Sequence, residues 1–248
     1  MWLYILLIFL LFVFHKPVNV EGFASSNTKF ITLTNDGYID YTLNCYKSME
    51  HLDLNLHAYA IGNKAYEQLK NKGYKCTLIE DENASFASFR TGNWHNITKQ
   101  KFNIIYENLL KYKYVCFTDG DIVYNKDVLL YCEEHIGNKD ILIQNDMMSD
   151  KDHSNLCSGF MFIKSNKKTR KLFNPAIATK EAKEGWGDQM YINSIKDKLK
   201  YKMLPLKLFP NGQYYYKNLP DSYLIHFNWI VGHEKQKKMK KYNKWYLT

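Results

Sequence analysis

Two carboxylates one residue apart, Asp119 and Asp121, follow directly on the apolar run Tyr114-Val115-Cys116-Phe117-Thr118. Aromatic and compact apolar side chains in unbroken succession suit a strand covered on both faces, since a strand with one wet face would alternate. The acids then stand where such a strand ends, the position at which open α/β sheets take their ligands. Oxygen ligands beside a glycine suit a hard divalent cation, and a cation held by two carboxylates stays open to phosphate oxygens. A solvated turn is the plainer reading of Asp-Gly-Asp, because both residue types favour turns. An EF-hand loop is excluded, as its later acids, second glycine and terminal glutamate are missing.

The elements that would position these acids alternate. Residues 30–34 read as a strand ending at Asn35-Asp36-Gly37, and residues 38–52 as a helix with Ile39, Leu43, Tyr46 and Met49 at helical spacing. The design repeats over a strand at 54–61, a helix at 64–71 and a strand at 74–79, with Gly62 and Gly73 as punctuation. A helix at 99–112 then leads into the acid-bearing strand. This βαβ succession predicts a mainly parallel sheet with helices on both faces. Beyond Asp121 the pattern is mixed: a short helix at 126–134, strands at 140–144 and 159–163 around a polar loop at 146–155, a helix opened at Gly187 with Asp188 as N-cap, and a strand at 222–225.

Residues 1–14 are almost wholly apolar, and residues 1–20 read as a membrane-directed segment between a signal-peptide core and a full span in length. Trp2 and Tyr4 and the lack of a basic start favour an uncleaved anchor, with the body on the lumenal side of the endoplasmic reticulum or Golgi as a single-pass type II protein; Gly22-Phe23-Ala24 could instead mark cleavage and secretion. The sequons at Asn83 and Asn96 suit a lumenal placement. The rest, 27–248, is enough for one domain, with a regular half at 27–124 that reads as nucleotide-binding and a less regular half at 125–248. Five scattered cysteines without a C-x-x-C pair indicate neither a zinc site nor a disulfide framework. The net charge of +9 owes much to Lys235, Lys237, Lys238, Lys240, Lys241 and Lys244, opposed in that tail by Glu234 alone. Such a run attracts phosphates of any kind or is a solvated helix face.

Phe117-Thr118-Asp119-Gly120-Asp121-Ile122, Cys157-Ser158-Gly159, Gly187-Asp188-Gln189 and His226-Phe227-Asn228 with Gly232 and Lys235, in that order, resemble the nucleotide-diphospho-sugar transferase family of GT-A glycosyltransferases, including compact versions from large DNA viruses. The resemblance covers about residues 29–245 and implies that 125–248 is the sugar and acceptor half, with a C-terminal segment that closes on the metal. It implies a GT-A, Rossmann-like fold and transfer of a sugar from a nucleotide-sugar donor, a UDP-sugar first, to a hydroxyl of a glycan or glycoprotein, with Mn²⁺ or Mg²⁺ and retention of configuration. Asp121, Asp119 and His226 would be the metal ligands, an imidazole beside carboxylates suiting Mn²⁺ better than Ca²⁺. Asn35, Lys101, Asp119, Ser158, Gly159, Asn228, Gly232 and Lys235 would surround the donor, Lys235 beside its diphosphate, with Arg90 a further phosphate partner. Asp146, Asp188 and Gln189 would face the reacting sugar.

A degenerate, non-catalytic membrane-anchored module with a basic tail is the competing reading, and the complete acid and histidine sets argue against it. A two-metal phosphohydrolase would need a second acidic cluster. No nucleic-acid partner is expected.

Overall fold

The computed structural model describes residues 27–79, 94–181 and 185–248, with the backbone alone over 94–99. In chain order its elements are β1 (Thr28–Asn35), α1 (Ile39–Met49), β2 (Leu56–Ile61), α2 (Asn63–Asn71), β3 (Cys76–Ile79), α3 (Trp94–Leu109), β4 (Tyr114–Thr118), β5 (Ile122–Tyr124) and α4 (Leu129–Ile136). There follow β6 (Ile141–Asn145), β7 (Leu156–Lys164), α5 (Lys167–Leu172), α6 (Pro175–Glu181), α7 (Asp188–Ile195), β8 (Tyr201–Met203), α8 (Gly212–Asn218), β9 (Leu224–His226) and α9 (His233–Lys241). Arg90 and the Asn83 sequon lie outside the described residues, as does the N-terminal segment 1–20. Among the described residues no helix is long and apolar enough to cross a membrane.

The main sheet has seven strands in the order β3-β2-β1-β4-β7-β6-β8. The first four run parallel, as the βαβ pattern requires, and β6 and β8 pair in parallel. Only β7 opposes its neighbours, β4 on one side and β6 on the other. Central β4 is covered on both faces: Cys116 joins a core with Leu43, Phe160 and Phe162, whereas Val115 and Phe117 join another with Phe102, Met161 and Tyr191. A smaller core of Val123, Tyr215, Ile225, Phe227 and Met239 ties the two-stranded ribbon β5-β9 to α8 and α9.

This arrangement gathers the site at one end of the sheet. Asp119 follows the last residue of β4, and because β7 runs the other way its opening residues Cys157, Ser158 and Gly159 lie beside the acids. The β6-β7 register slips there, Ile143 facing Met161 but Gln144 facing Cys157. A bulge of this kind re-aims side chains locally. The ribbon does the rest, since Ile122 pairs with His226 and the Phe227 amide donates to the Asp121 carbonyl (3.1 Å).

Several boundaries differ from the sequence reading. Helix α3 ends at Leu109 rather than 112 because the Lys111 and Tyr112 amides both bond the Asn108 carbonyl, tightening the last turn. Helix α4 begins at Leu129, not 126, where the Asp127 carboxylate accepts the Leu129 amide (2.7 Å). Strand β7 starts at Leu156, three residues before the expected 159, and β9 spans Leu224–His226 rather than 222–225. The short elements α5, α6, β8 and α8 were not foreseen. Asp188 is not an N-cap: Gly187 holds that position, and the Asp188 carboxylate is drawn to Lys101 and Ser158 instead. All five cysteines are unpaired.

Gly120, between the two acids, packs on α1. A Cβ there would lie 2.3 Å from Thr42 Oγ1 and 3.3 Å from Thr42 Cα, so backbone as well as side chain would have to give. Gly120→Ala is expected to destabilise by about 1–3 kcal/mol, read as a fall in Tm by differential scanning fluorimetry; an unchanged Tm would show that α1 does not clamp the turn.

Candidate active site

Asp121 and Asp119 leave the same strand end into different surroundings. Asp121 is buried, its Oδ2 ion-paired with Lys235 Nζ and its Oδ1 3.3 Å from His226 Nε2. Burial alone would raise its pKa, but Lys235 and His226 outweigh it and hold the carboxyl below the usual range. Asp119 is about a third exposed, with Oδ1 3.0 Å from Lys101 Nζ and Oδ2 3.8 Å from His226 Nε2. Its pKa is raised, first by burial and then by the charge of Asp121, with Lys101 opposing.

His226 is held by a relay that fixes its tautomer. Gln144 Nε2 donates to the carbonyls of Phe209 (3.1 Å) and Pro210 (2.9 Å), which leaves Gln144 Oε1 as an acceptor 2.8 Å from His226 Nδ1. Nδ1 must therefore carry the hydrogen, and Nε2 is the ring atom that faces the two carboxylates. Such an outer partner, orienting the ring through its far nitrogen, is the usual support of a metal-ligating histidine. One donor atom from each of Asp119, Asp121 and His226 lies within 4.8 Å of the others. The two carboxylates repel one another, and a cation placed among the three atoms would draw on all of them. Gly159 makes room for them, because a Cβ there would lie 2.2 Å from His226 Cε1 and 2.8 Å from Asp119 Oδ2. The donor set and this space fit a divalent cation.

Lys101, from α3, is nearly buried yet charged. Its Nζ contacts Asp119, Asp188 Oδ2 and the Ser158 carbonyl (3.4 Å), above the Phe117 ring at 4.4 Å. Burial works against this ammonium, but the two carboxylates raise its pKa. Ser158 Oγ donates to Asp188 Oδ2 (2.6 Å); burial would raise the Asp188 pKa, and Lys101 and these hydrogen bonds bring it below the usual range. Lys235 is the one site lysine of the C-terminal helix: it is buried, donates to Tyr38 Oη (2.6 Å) and lies over the Tyr38 and Tyr41 rings, whereas Lys237, Lys238, Lys240 and Lys241 are not buried. Gly232 caps that helix, and its carbonyl accepts Tyr41 Oη (2.9 Å).

Asp146 forms an adjoining centre. Its Oδ1 accepts from Asn228 Nδ2 (2.9 Å) and Trp229 Nε1 (3.0 Å), and its Oδ2 from Gln189 Nε2 (2.9 Å) and Asn155 Nδ2 (3.0 Å). Asn228 Oδ1 in turn accepts the Gly212 amide (2.7 Å). Asn35, at the end of β1, has a side-chain oxygen buried without a hydrogen-bond partner. Sequence reasoning missed Gln144, Tyr38, Asn155 and Trp229. Gln144 carried a signal, a polar residue closing the apolar run Ile141-Leu142-Ile143; the others had none.

A family model for nucleotide-diphospho-sugar transferases matches residues 54–241. The chain belongs to that family. A UDP-galactose:fucoside alpha-3-galactosyltransferase of Dictyostelium discoideum is 26% identical over 285 aligned positions, covering 91% of this chain; the chain spans 44% of that relative's length. Among solved structures, a glycosyltransferase involved in glycosylation of the major capsid of PBCV-1 superposes with a TM-score of 0.56 at 12% identity, covering 86% of this chain and 99% of the other. The galactosyltransferase LgtC, solved with donor and acceptor sugar analogues, gives 0.58 at 11% identity, covering 88% and 97%. The fold of this chain is thus the GT-A fold of glycosyltransferases, as the ordered motifs implied.

Lys101 neutralises two acids at once. Lys101→Met should cost about 3–5 kcal/mol at neutral pH, the effect of stranding a buried charge. Asp188, with its folded pKa depressed, contributes stability above its unfolded value of about 3.9 and loses it as pH falls. Without Lys101 that carboxyl is easier to protonate in the folded state, so the deficit should shrink as pH drops towards about 4. Urea unfolding of both proteins across that range checks this; a deficit independent of pH would contradict it.

Proposed function

We propose that this transferase moves a sugar from a UDP-sugar, UDP-galactose first, to a hydroxyl of a glycan or glycoprotein, with one Mn²⁺ or Mg²⁺ and retention of configuration. The observation that carries this reading is the convergence of Asp119, Asp121 and His226 Nε2, with Gln144 fixing the ring. Galactose is favoured because the Dictyostelium relative is named for UDP-galactose.

Charge balance supports a diphosphate donor. Asp119, Asp121 and Asp188 carry three negative charges against the two of Lys101 and Lys235, leaving one negative charge over. A divalent cation, held by Asp119, Asp121 and His226, would turn that into one positive charge and act as a Lewis acid toward the departing nucleoside diphosphate. Lys235, already counted in that balance, sits on the same acid and would bring its ammonium beside that leaving group. The unpartnered oxygen of Asn35 offers an acceptor to the nucleoside, and Gly159 keeps His226 and Asp119 in the position a metal would need.

Retention is supported by how the remaining acids are used. An inverting route needs a carboxylate free to take the proton of the acceptor hydroxyl. Asp146 already accepts four hydrogen bonds, and Asp188 is occupied by Lys101 and Ser158. A front-face route needs no such base, and there Asp188 and Gln189 serve to orient the sugar.

A panel of UDP- and GDP-sugars, assayed for nucleotide release with Mn²⁺ or with EDTA, tests the proposal. UDP-galactose turnover should require the metal and vanish in Asp121→Asn, which keeps the shape of the side chain without its charge. Turnover that survives EDTA, or near-normal activity of Asp121→Asn with added Mn²⁺, would refute the metal assignment.

A further inference from the structure

Four non-glycine residues among those described have positive φ: Asp53, Leu219, Trp229 and Asn243. Asp53 and Leu219 occupy the C-caps of a 3₁₀ turn and of α8, and Asn243 directly follows the C-cap of α9; helix ends commonly adopt this conformation. Trp229 ends no helix. It lies on the loop after β9, three residues beyond His226, with φ at 64°. For a bulky side chain that is an outlier, and outliers of this kind gather at ligand sites.

The indole is held there by one atom. Trp229 Nε1 donates to Asp146 Oδ1, the oxygen that also accepts from Asn228, while Oδ2 accepts from Gln189. The ring is therefore one carboxylate away from the pair Asp188-Gln189. Its faces are otherwise uncommitted: Trp229 is 54% exposed, and no aromatic or cationic side chain among the described residues stacks on it. Val231, at 67%, extends the exposed apolar surface. By contrast Asp121, His226, Lys101, Lys235 and Ser158 are all buried. An immobilised, half-exposed ring at the rim of a buried polar site faces what enters last.

We propose that Trp229 is the platform on which the acceptor sugar stacks, a neutral pyranose laying its C–H face on the indole. This rests on the function proposed above and names a binding subsite for its acceptor. Sugars offer an apolar C–H face and a polar rim, and ligand sites pair an apolar surface with a few placed polar groups. The negative face of an aromatic ring attracts polarised C–H bonds, and donation of the indole N–H to a buried carboxylate pushes further electron density into that face. A charged acceptor is disfavoured, since Asp146 already spends its charge on four neutral donors.

The test uses the full chain with methyl α-fucoside, methyl β-galactoside and methyl β-glucoside as probes. Binding is read by saturation-transfer NMR, and turnover as the ratio of transfer to donor hydrolysis. One glycoside should bind with saturation concentrated on the C–H protons of a single ring face. Trp229→Ala should lower the transfer-to-hydrolysis ratio roughly tenfold through acceptor KM, and Trp229→Phe, which keeps a ring but loses the N–H that anchors it, should retain no more than part of it. Glycoside binding unchanged in Trp229→Ala, or full binding kept by Trp229→Phe, would overturn the platform as drawn. No glycoside binding by the wild type would also overturn it. Ring-face binding by a protein that turns over no nucleotide sugar would support the platform and refute the proposed reaction instead.

Discussion

The repulsion between Asp119 and Asp121, set at one strand end with His226 Nε2 facing both, is the constraint around which this structure is organised. Left alone, two carboxylates at one strand end would disfavour the folded state. The chain answers from two directions, with Lys101 on Asp119 and Lys235 on Asp121, and still leaves the three donor atoms converged. Neutralisation by lysine is therefore partial by construction. It is enough to fold the protein around buried acids and too little to satisfy them, which is the electrostatic condition for binding a cation and then an anion.

Each half of the fold supplies part of that condition. The parallel strands deliver the acids and Asn35, because parallel strands end on the same side. Everything else must return from the second half: β7 does so by running antiparallel, the β5-β9 ribbon brings His226 to Asp121, and α9 brings Lys235. Lys101 and Asp188 join α3 to α7 across the strand ends. A change at one of these contacts thus reaches the others through shared carboxylates, and additivity among their variants is not expected.

The first half was legible to within a few residues because each βαβ unit carries its own punctuation in Gly62, Gly73 and the spacing of Ile39, Leu43 and Tyr46. The second half was less so: β8 and β9 have three residues each, too few for periodicity, and the reversal of β7 is a tertiary property. In the site, the acids and His226 stood out by type and order, and the structure brings them together. Asp188 was misread as a helix cap because the sequence signal for a cap is local, whereas the pull of Lys101 comes from another helix. Gln144, Tyr38 and Trp229 act through partners at 226, 235 and 146 that no local pattern links to them.

The most direct measurement is pulsed electron paramagnetic resonance of Mn²⁺ bound to the purified chain without donor. One ion should bind per chain, coupled to a single imidazole nitrogen whose signal is lost in His226→Ala. A chain that binds no Mn²⁺, or binds it with the nitrogen coupling unchanged in His226→Ala, would contradict it.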